Sequence, residues 1–241
     1  MPYDYAGWLA RAQAFVRGIG AREDRFAEVR TEVRVEPPVT PAELGRIAER
    51  RNALDSGDVG STGPRALPTE LARFYTEGCG GCDCHYVCDG PDDDADALIS
   101  EVLGWQGAVY GGPVFFPAGE LPDAVRSCRE WAEETWVADD PEALRFWRAG
   151  LPFARIENGD YLALDVSHGG GDPPVLYLSH DDASLALAPS FTAFLDAWEK
   201  LCYLGPEVWL LDPFLRADGQ LDPGTPSAAR LRRLLMGTPA A

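Results

Sequence analysis

Between Phe153 and Cys202 the sequence runs without interruption through a strand, a two-residue turn, a returning strand, a second strand pair and a capped helix. That succession restricts the chain to folds that lay a helix on an antiparallel sheet. Asn158-Gly159 separates apolar stretches at 153–156 and 160–166, and Asn and Gly both tolerate the positive φ that a tight hairpin demands. Asp160-Tyr161-Leu162-Ala163-Leu164-Asp165 is answered by Pro174-Val175-Leu176-Tyr177-Leu178-Ser179-His180-Asp181, and Leu185 to Leu187 adds a short further strand. Ser190 then offers an oxygen to the first turn of a helix in which Phe191, Phe194, Leu195, Trp198, Leu201 and Cys202 share one face.

Upstream, Trp8, Leu9, Ala12, Phe15, Val16 and Ile19 recur at helical spacing, and Gly18 and Gly20 stop the helix. Val29, Thr31, Val33 and Val35 alternate with Arg30, Glu32, Arg34 and Glu36, which favours a half-exposed strand, although Phe26, Val29 and Val33 also suit a helix. Thr40-Pro41 starts a helix that ends near Asn52, followed by a Gly/Ser-rich loop from Asp55 to Pro64. Leu67-Pro68 opens a short helix that buries Leu71, Phe74 and Tyr75 and breaks at Gly78, Gly80 and Gly81, before a strand beginning at Cys82. Pro91-Asp92-Asp93-Asp94-Ala95-Asp96 reads as a solvated turn, its aspartates also favourable near the N-terminus of a following helix from Ala97 to Leu103. Val109 to Phe116 supplies one strand, Glu120 to Trp136 a helix, and Pro141 to Trp147 another helical turn. Beyond Gly205-Pro206 follow apolar Val208 to Leu211 and a basic helix with Arg230, Arg232 and Arg233.

These elements predict an α+β fold with a curved, mainly antiparallel sheet flanked by helices. Residues 1–38 are an N-terminal helix and strand extension, 39–203 the α+β domain, and 204–241 a C-terminal extension packed on the same domain. A chain of 241 residues can bury one sizeable core.

Charge narrows the partners. With 39 acidic against 21 basic residues and a net −18, the surface field repels phosphate backbones and anionic lipid. Nucleic acid and membrane are therefore excluded as partners, and a basic protein is favoured. No apolar run approaches the roughly 20 residues that a bilayer crossing needs, and Met1 to Tyr5 has neither a basic nor an apolar leader region. The expected location is cytoplasmic, with reduced thiols.

The sharpest chemical candidate is Cys79, Cys82, Cys84 and Cys88, with His85 among them. Thiolates are preferred zinc ligands, but on a strand Cys82, Cys84, Tyr86 and Cys88 share a face at a spacing of about 6.6 Å. Sulfurs about 2.3 Å from one zinc must lie within roughly 4 Å of each other. The favoured reading is small buried hydrophobes, with no metal and no cofactor; zinc through the four cysteines is the alternative. His180 follows Ser179, and adjacent strand residues point to opposite faces, so the pair forms no catalytic dyad and His180 reads as a hydrogen-bonded strand-end residue. His168-Gly169-Gly170-Gly171 lacks the Gly-x-Ser-x-Gly elbow that an esterase oxyanion loop would accompany.

Four blocks in order carry a family likeness: Leu67-Pro68 through Phe74-Tyr75 before a glycine cluster, Gly159-Asp160-Tyr161, Tyr177 through His180, and Ser190-Phe191 with Phe194. Together they resemble the SUKH superfamily, which includes fungal Smi/Knr-type cell-wall regulators and many bacterial immunity proteins. The resemblance implies a curved sheet flanked by helices and a non-enzymatic binding role, typically neutralisation of a toxin, often a nuclease. The expected partner is a basic toxin domain met by Asp92, Asp93, Asp94, Asp96, Asp181 and Asp182, with no catalytic residues. An intracellular regulatory or scaffolding protein of the Smi/Knr type is the other reading.

Overall fold

The structure is a computed structural model that describes residues 2–21, 24–55, 66–104, 107–167 and 171–236. Helix α1 (Tyr5–Ile19) is capped by Asp4 and leads into β1 (Phe26–Glu36) and α2 (Pro41–Asp55). Helix α3 (Thr69–Arg73) widens into a π-helical turn over Phe74–Gly78 before β2 (Gly81–Pro91). Next come α4 (Asp93–Leu103), β3 (Val109–Gly111), β4 (Val114–Phe115), α5 (Leu121–Glu134) and α6 (Pro141–Ala149). The chain continues through β5 (Gly150–Arg155), β6 (Tyr161–Asp165), β7 (Val175–Leu178), β8 (Leu185–Ala188) and α7 (Phe191–Lys200). It closes with α8 (Val208–Leu211) and α9 (Pro226–Met236).

The α+β class read from the sequence is the one observed, and the described strands divide into two four-stranded antiparallel sheets. The first runs β1-β2-β3 with β4 also on β2; the second runs β5-β6-β7-β8. Where β4 meets β5, Phe116 donates its N–H to the Phe153 carbonyl at 3.0 Å, and Phe115 stacks on Phe153 with ring centroids 5.3 Å apart. That seam joins the sheets.

Three boundaries depart from the sequence reading, each for a local reason. The stretch 109–116 is two strands, because Gly112 turns at φ +115° where an added Cβ would stand 2.0 Å from the Cys84 carbonyl oxygen. The acidic run is a helix start, not a free turn: Asp92 accepts the Ala95 N–H at 2.6 Å, and Asp93, Asp94 and Asp96 form the first turn of α4. Carboxylates there are stabilised by unsatisfied N–H groups and the helix dipole. Helix α7 ends at Lys200, since Cys202 and Tyr203 adopt left-handed φ of 58° and 54°. The Gly/Ser loop beyond Asp55 and residues 168–170 of the glycine connector lie outside the described residues.

The core explains why β6 and β7 read as continuous apolar runs. Leu162, Leu164, Val175 and Tyr177 face the main core, while Tyr161, Ala163, Leu176 and Leu178 face a second one with Cys128 and Trp147 beneath α5 and α6. A sheet covered on both sides has no polar face to alternate. In the main core, Phe74 stacks on Phe115 at 4.6 Å and meets Tyr5, Trp8, Tyr75 and Phe191 edge-on.

Both chain ends are tied to this body. Trp8 Nε1 donates to the Leu195 carbonyl at 3.1 Å, Tyr5 OH to Glu70 at 2.6 Å, and β1 pairs with β2 from Phe26↔Pro91 to Glu36↔Gly81. Helix α9 rests on α4, and Arg232 reaches the Lys200 carbonyl at 2.9 Å. Among the described residues, no helix is long and apolar enough to cross a membrane. Because Phe74 is fully buried among five aromatic rings, Phe74→Ala should cost about 3–5 kcal/mol, read as a lowered urea midpoint at unchanged m-value.

Candidate functional site

The cysteine-rich strand turns its sulfurs into the core. Cys82, Cys84, Tyr86 and Cys88 are buried while Asp83, His85 and Val87 between them are only partly so, and Cys79 is buried as well. None of the six cysteines is joined in a disulfide. Hydrogen bonds with Cys79 and Cys84, together with burial, push the Cys82 thiol well up, and burial raises Cys128 and Cys202 to about 12. Among the described residues, the potential ligands that gather within 4.8 Å of one another are Glu32, Asp83 and His85, on the outward side of the same strand pair. They are already engaged: His85 Nδ1 is 2.6 Å from Asp83, and Arg34 holds Glu32. Spacing within β2 alone could not reveal this group, since Glu32 joins it only through the cross-strand register Glu32↔His85.

The structure brings Asp160, Tyr177 and His180 together. Asp160 is 2% exposed, yet its carboxylate has four donors: Tyr177 OH, Asn158 Nδ2 at 2.7 Å, the His180 N–H at 2.7 Å and His180 Nδ1 at 2.6 Å. Burial, reinforced by Asp160, raises the Tyr177 phenol above its usual range, which keeps it a donor. The same phenol oxygen accepts the Val208 N–H at 3.1 Å, so α8 is tied to the network. Of the other motif residues, Leu67, Phe74, Tyr75, Tyr161, Phe191 and Phe194 are core. Pro68 precedes α3, Gly159 takes the φ of +104° that its hairpin requires, and Ser190 caps α7 through the Ala193 N–H at 3.1 Å.

The acidic residues singled out from the sequence fall in two places. Asp92, Asp93, Asp94 and Asp96 sit at the start of α4, where Asp92 also lies 3.7 Å from Arg25. Asp181 and Asp182 follow β7 and line an open groove of about 540 Å³ with Trp136, Asp140, Glu142 and Phe146. The groove is built from local chemistry. Asp140 caps α6 by accepting the Glu142 N–H at 2.9 Å and the Ala143 N–H at 3.2 Å, which turns α6 with Glu142 and Phe146 toward the groove. Ser179 Oγ holds the Asp182 N–H at 3.1 Å, and Asp181 lies 2.8 Å from His180 Nε2.

Trp136 is 43% exposed, yet its Nε1 donates to the His180 carbonyl at 2.7 Å, so the ring is a positioned surface rather than a loose one. Sequence reasoning placed Trp136 at a helix end and Asp140-Pro141 at a boundary without joining them to Asp181. The Asp-Pro cap was the available signal; the pairing across 44 residues was not. The groove therefore offers four carboxylates around an aromatic platform, with Ser184 also in its wall.

The protein is thus an α+β body of two four-stranded antiparallel sheets with flanking helices and an acidic surface groove. The sequence profile of the SMI1 / KNR4 family (SUKH-1) matches residues 60–197, more than half of the chain, and the chain belongs to that family. No curated protein and no solved structure matches it. The matched span holds the Asp160 network and the groove; α1, β1 and α9 lie outside it.

Two measurements check this description. Tyr177→Phe leaves Asp160 one donor short and Val208 N–H without its acceptor, which should cost about 1–3 kcal/mol in thermal unfolding. Ellman's reagent at pH 8 should titrate the thiols slowly in native protein and all six at once in guanidinium, since each is buried.

Proposed function

We propose that this chain is a non-enzymatic cytoplasmic binding protein, an immunity protein that neutralises a toxin by holding a basic face of it against the groove of Trp136, Asp140, Glu142, Asp181 and Asp182. The observation that carries the reading is the groove itself: four carboxylates surround an exposed tryptophan that is held by a hydrogen bond. Aromatic anchors ringed by complementary charge are the usual make-up of a binding hot spot. A net charge of −18 extends the same field over the whole surface and accelerates encounter with a cationic partner. A nuclease toxin suits such a surface, because an enzyme that holds phosphate backbones must itself be basic. The carboxylates at the start of α4 add to the same field, with Asp92 engaged in capping and near Arg25.

The test is co-purification with the products of adjacent reading frames, followed by kinetics on the captured partner. Neutralising Asp181, Asp182 and Glu142 as Asn, Asn and Gln should slow association about tenfold or more at low salt. Trp136→Ala should weaken binding by about 2 kcal/mol, near thirtyfold in Kd. A basic partner bound equally by all these variants would remove the groove, and capture of acidic partners alone would remove the reading.

A further inference from the structure

A second cavity, of about 330 Å³, lies at the seam between the two sheets, away from the acidic groove. Its walls come from β2, β3, β4 and β5, from Trp198 on α7, and from the turn that carries Gly205, Pro206 and Glu207. Tyr86, Tyr110, Val114, Ile156 and Trp198 make it largely apolar, a size and composition typical of small-ligand sites. Glu207 also lines it and is only 6% exposed; its carboxyl is met by the Tyr110 hydroxyl and its own backbone N–H, while Oε2 has no hydrogen-bond partner of its own among the described residues.

Much local structure goes into putting that carboxyl there. Cys202 and Tyr203 both take left-handed φ, and Gly205 a φ of +74°. The segment then docks against the strand end: Gly112 N–H donates to the Tyr203 carbonyl at 2.6 Å, and Gly205 N–H to the Tyr110 carbonyl at 3.0 Å. At Gly111 a Cβ would meet the Tyr203 oxygen at 2.2 Å, so glycine is what permits the approach. Non-glycine residues held in that region of φ/ψ are strained and concentrate at functional sites. A buried acceptor without a partner calls for an explanation of the same kind.

We propose that the cavity binds a linear organic cation, an ammonium or guanidinium on a short aliphatic stem, with Glu207 as its charge partner. The stem lies along Tyr110, Val114 and Ile156 and the head meets the carboxylate, the arrangement in which long cationic side chains bury their methylenes and keep the charge paired. The Tyr110 ring adds a cation–π face, and it is itself set edge-on against exposed Trp209 at 6.0 Å. Charge around the site favours a cation: Asp83 and Glu157 line the cavity with Glu207, against Arg155 and against His85, which is hydrogen-bonded to Asp83. An anion would face three carboxylates.

The groups that face Glu207 are Tyr110 from β3 and Glu157 and Asp160 from the β5–β6 turn. Burial first, then Glu157 and Asp160, hold its carboxyl above the ordinary 4.5, while its own backbone N–H and Tyr110 pull the other way. A raised acid contributes stability below its unfolded value and loses it as pH rises through the folded one. Glu207→Gln should therefore fold at least as stably as wild type above pH 4.5, the difference growing until the folded-state carboxyl has ionised and then levelling off.

Butylguanidine is the probe, followed by amide shifts of Gly111, Gly112 and Glu157 in NMR titration, with n-pentanol as the neutral control. Saturable shifts with butylguanidine are expected, strengthening as pH rises and Glu207 ionises, and weakening tenfold or more in Glu207→Gln. Pentanol binding as tightly as butylguanidine, or a Glu207→Gln protein that stays folded and binds the cation as wild type does, would overturn the proposal. Competition separates the sources of such a cation. If saturating butylguanidine displaces a protein partner, the natural occupant is that partner's arginine or lysine; if partner binding is unaffected while the shifts persist, it is a free amine or guanidine. Trp136→Ala should leave the probe's affinity unchanged, so failure of the groove and failure of this cavity are read separately.

Discussion

A single buried carboxylate organises the centre of this molecule. Asp160 sits where the β5–β6 hairpin, the end of β7 and the start of α8 converge, and water cannot reach it to compensate for its desolvation. Its four donors must come from the protein, and three residues supply them: Asn158 of the hairpin turn, Tyr177 of β7, and His180 through both its backbone and its ring. A buried charge with all donors in place is specific in a way that apolar packing is not, because any shift in register leaves a group unpaired. His180 then passes the constraint outward, its carbonyl to Trp136 and its far nitrogen to Asp181. Tyr177 passes it the other way, to Val208 beside Glu207.

The groove and the seam cavity are therefore two ends of one hydrogen-bonded chain. Trp136 touches that chain only at the His180 carbonyl, so its ring can be removed without breaking a bond to Asp160 or to Val208. The aromatic core supplies the stiffness around that chain. Phe74, Phe115, Phe153 and Phe191 contact one another directly, binding α3, both sheets and α7 through rings that have few rotamers to lose.

Much of this was legible before any coordinates. The Asn158-Gly159 turn, the Ser190 cap and the aromatic spacing of α7 are signals of short range, and short-range signals give elements reliably. The alternation of Cys82, Cys84, Tyr86 and Cys88 likewise pointed the thiols inward. What sequence could not carry was anything decided across the sheets: the division of the strands at Gly112, the cross-strand grouping of Glu32 with His85, and the meeting of Trp136 with His180. The acidic run left the helix boundary open for a physical reason. Aspartates favour both turns and helix starts, and only the Asp92 hydrogen bond to Ala95 decides between them. Glu207 was passed over because a glutamate after Gly-Pro reads as surface until burial says otherwise.

Strand β1 lies before the family match and forms the outer rung of its sheet. Without it, β2 would present an unprotected row of backbone donors and acceptors on a strand rich in thiols, a ready template for another chain to pair with. Covering that row transfers the exposed rim to β1, and there Arg30, Glu32, Arg34 and Glu36 stand at every second position, with Arg34 clasping Glu32. An incoming strand would have to accommodate that charged ladder. The N-terminal segment thus leaves a charged rim, rather than the cysteine-lined strand, at the edge of the sheet.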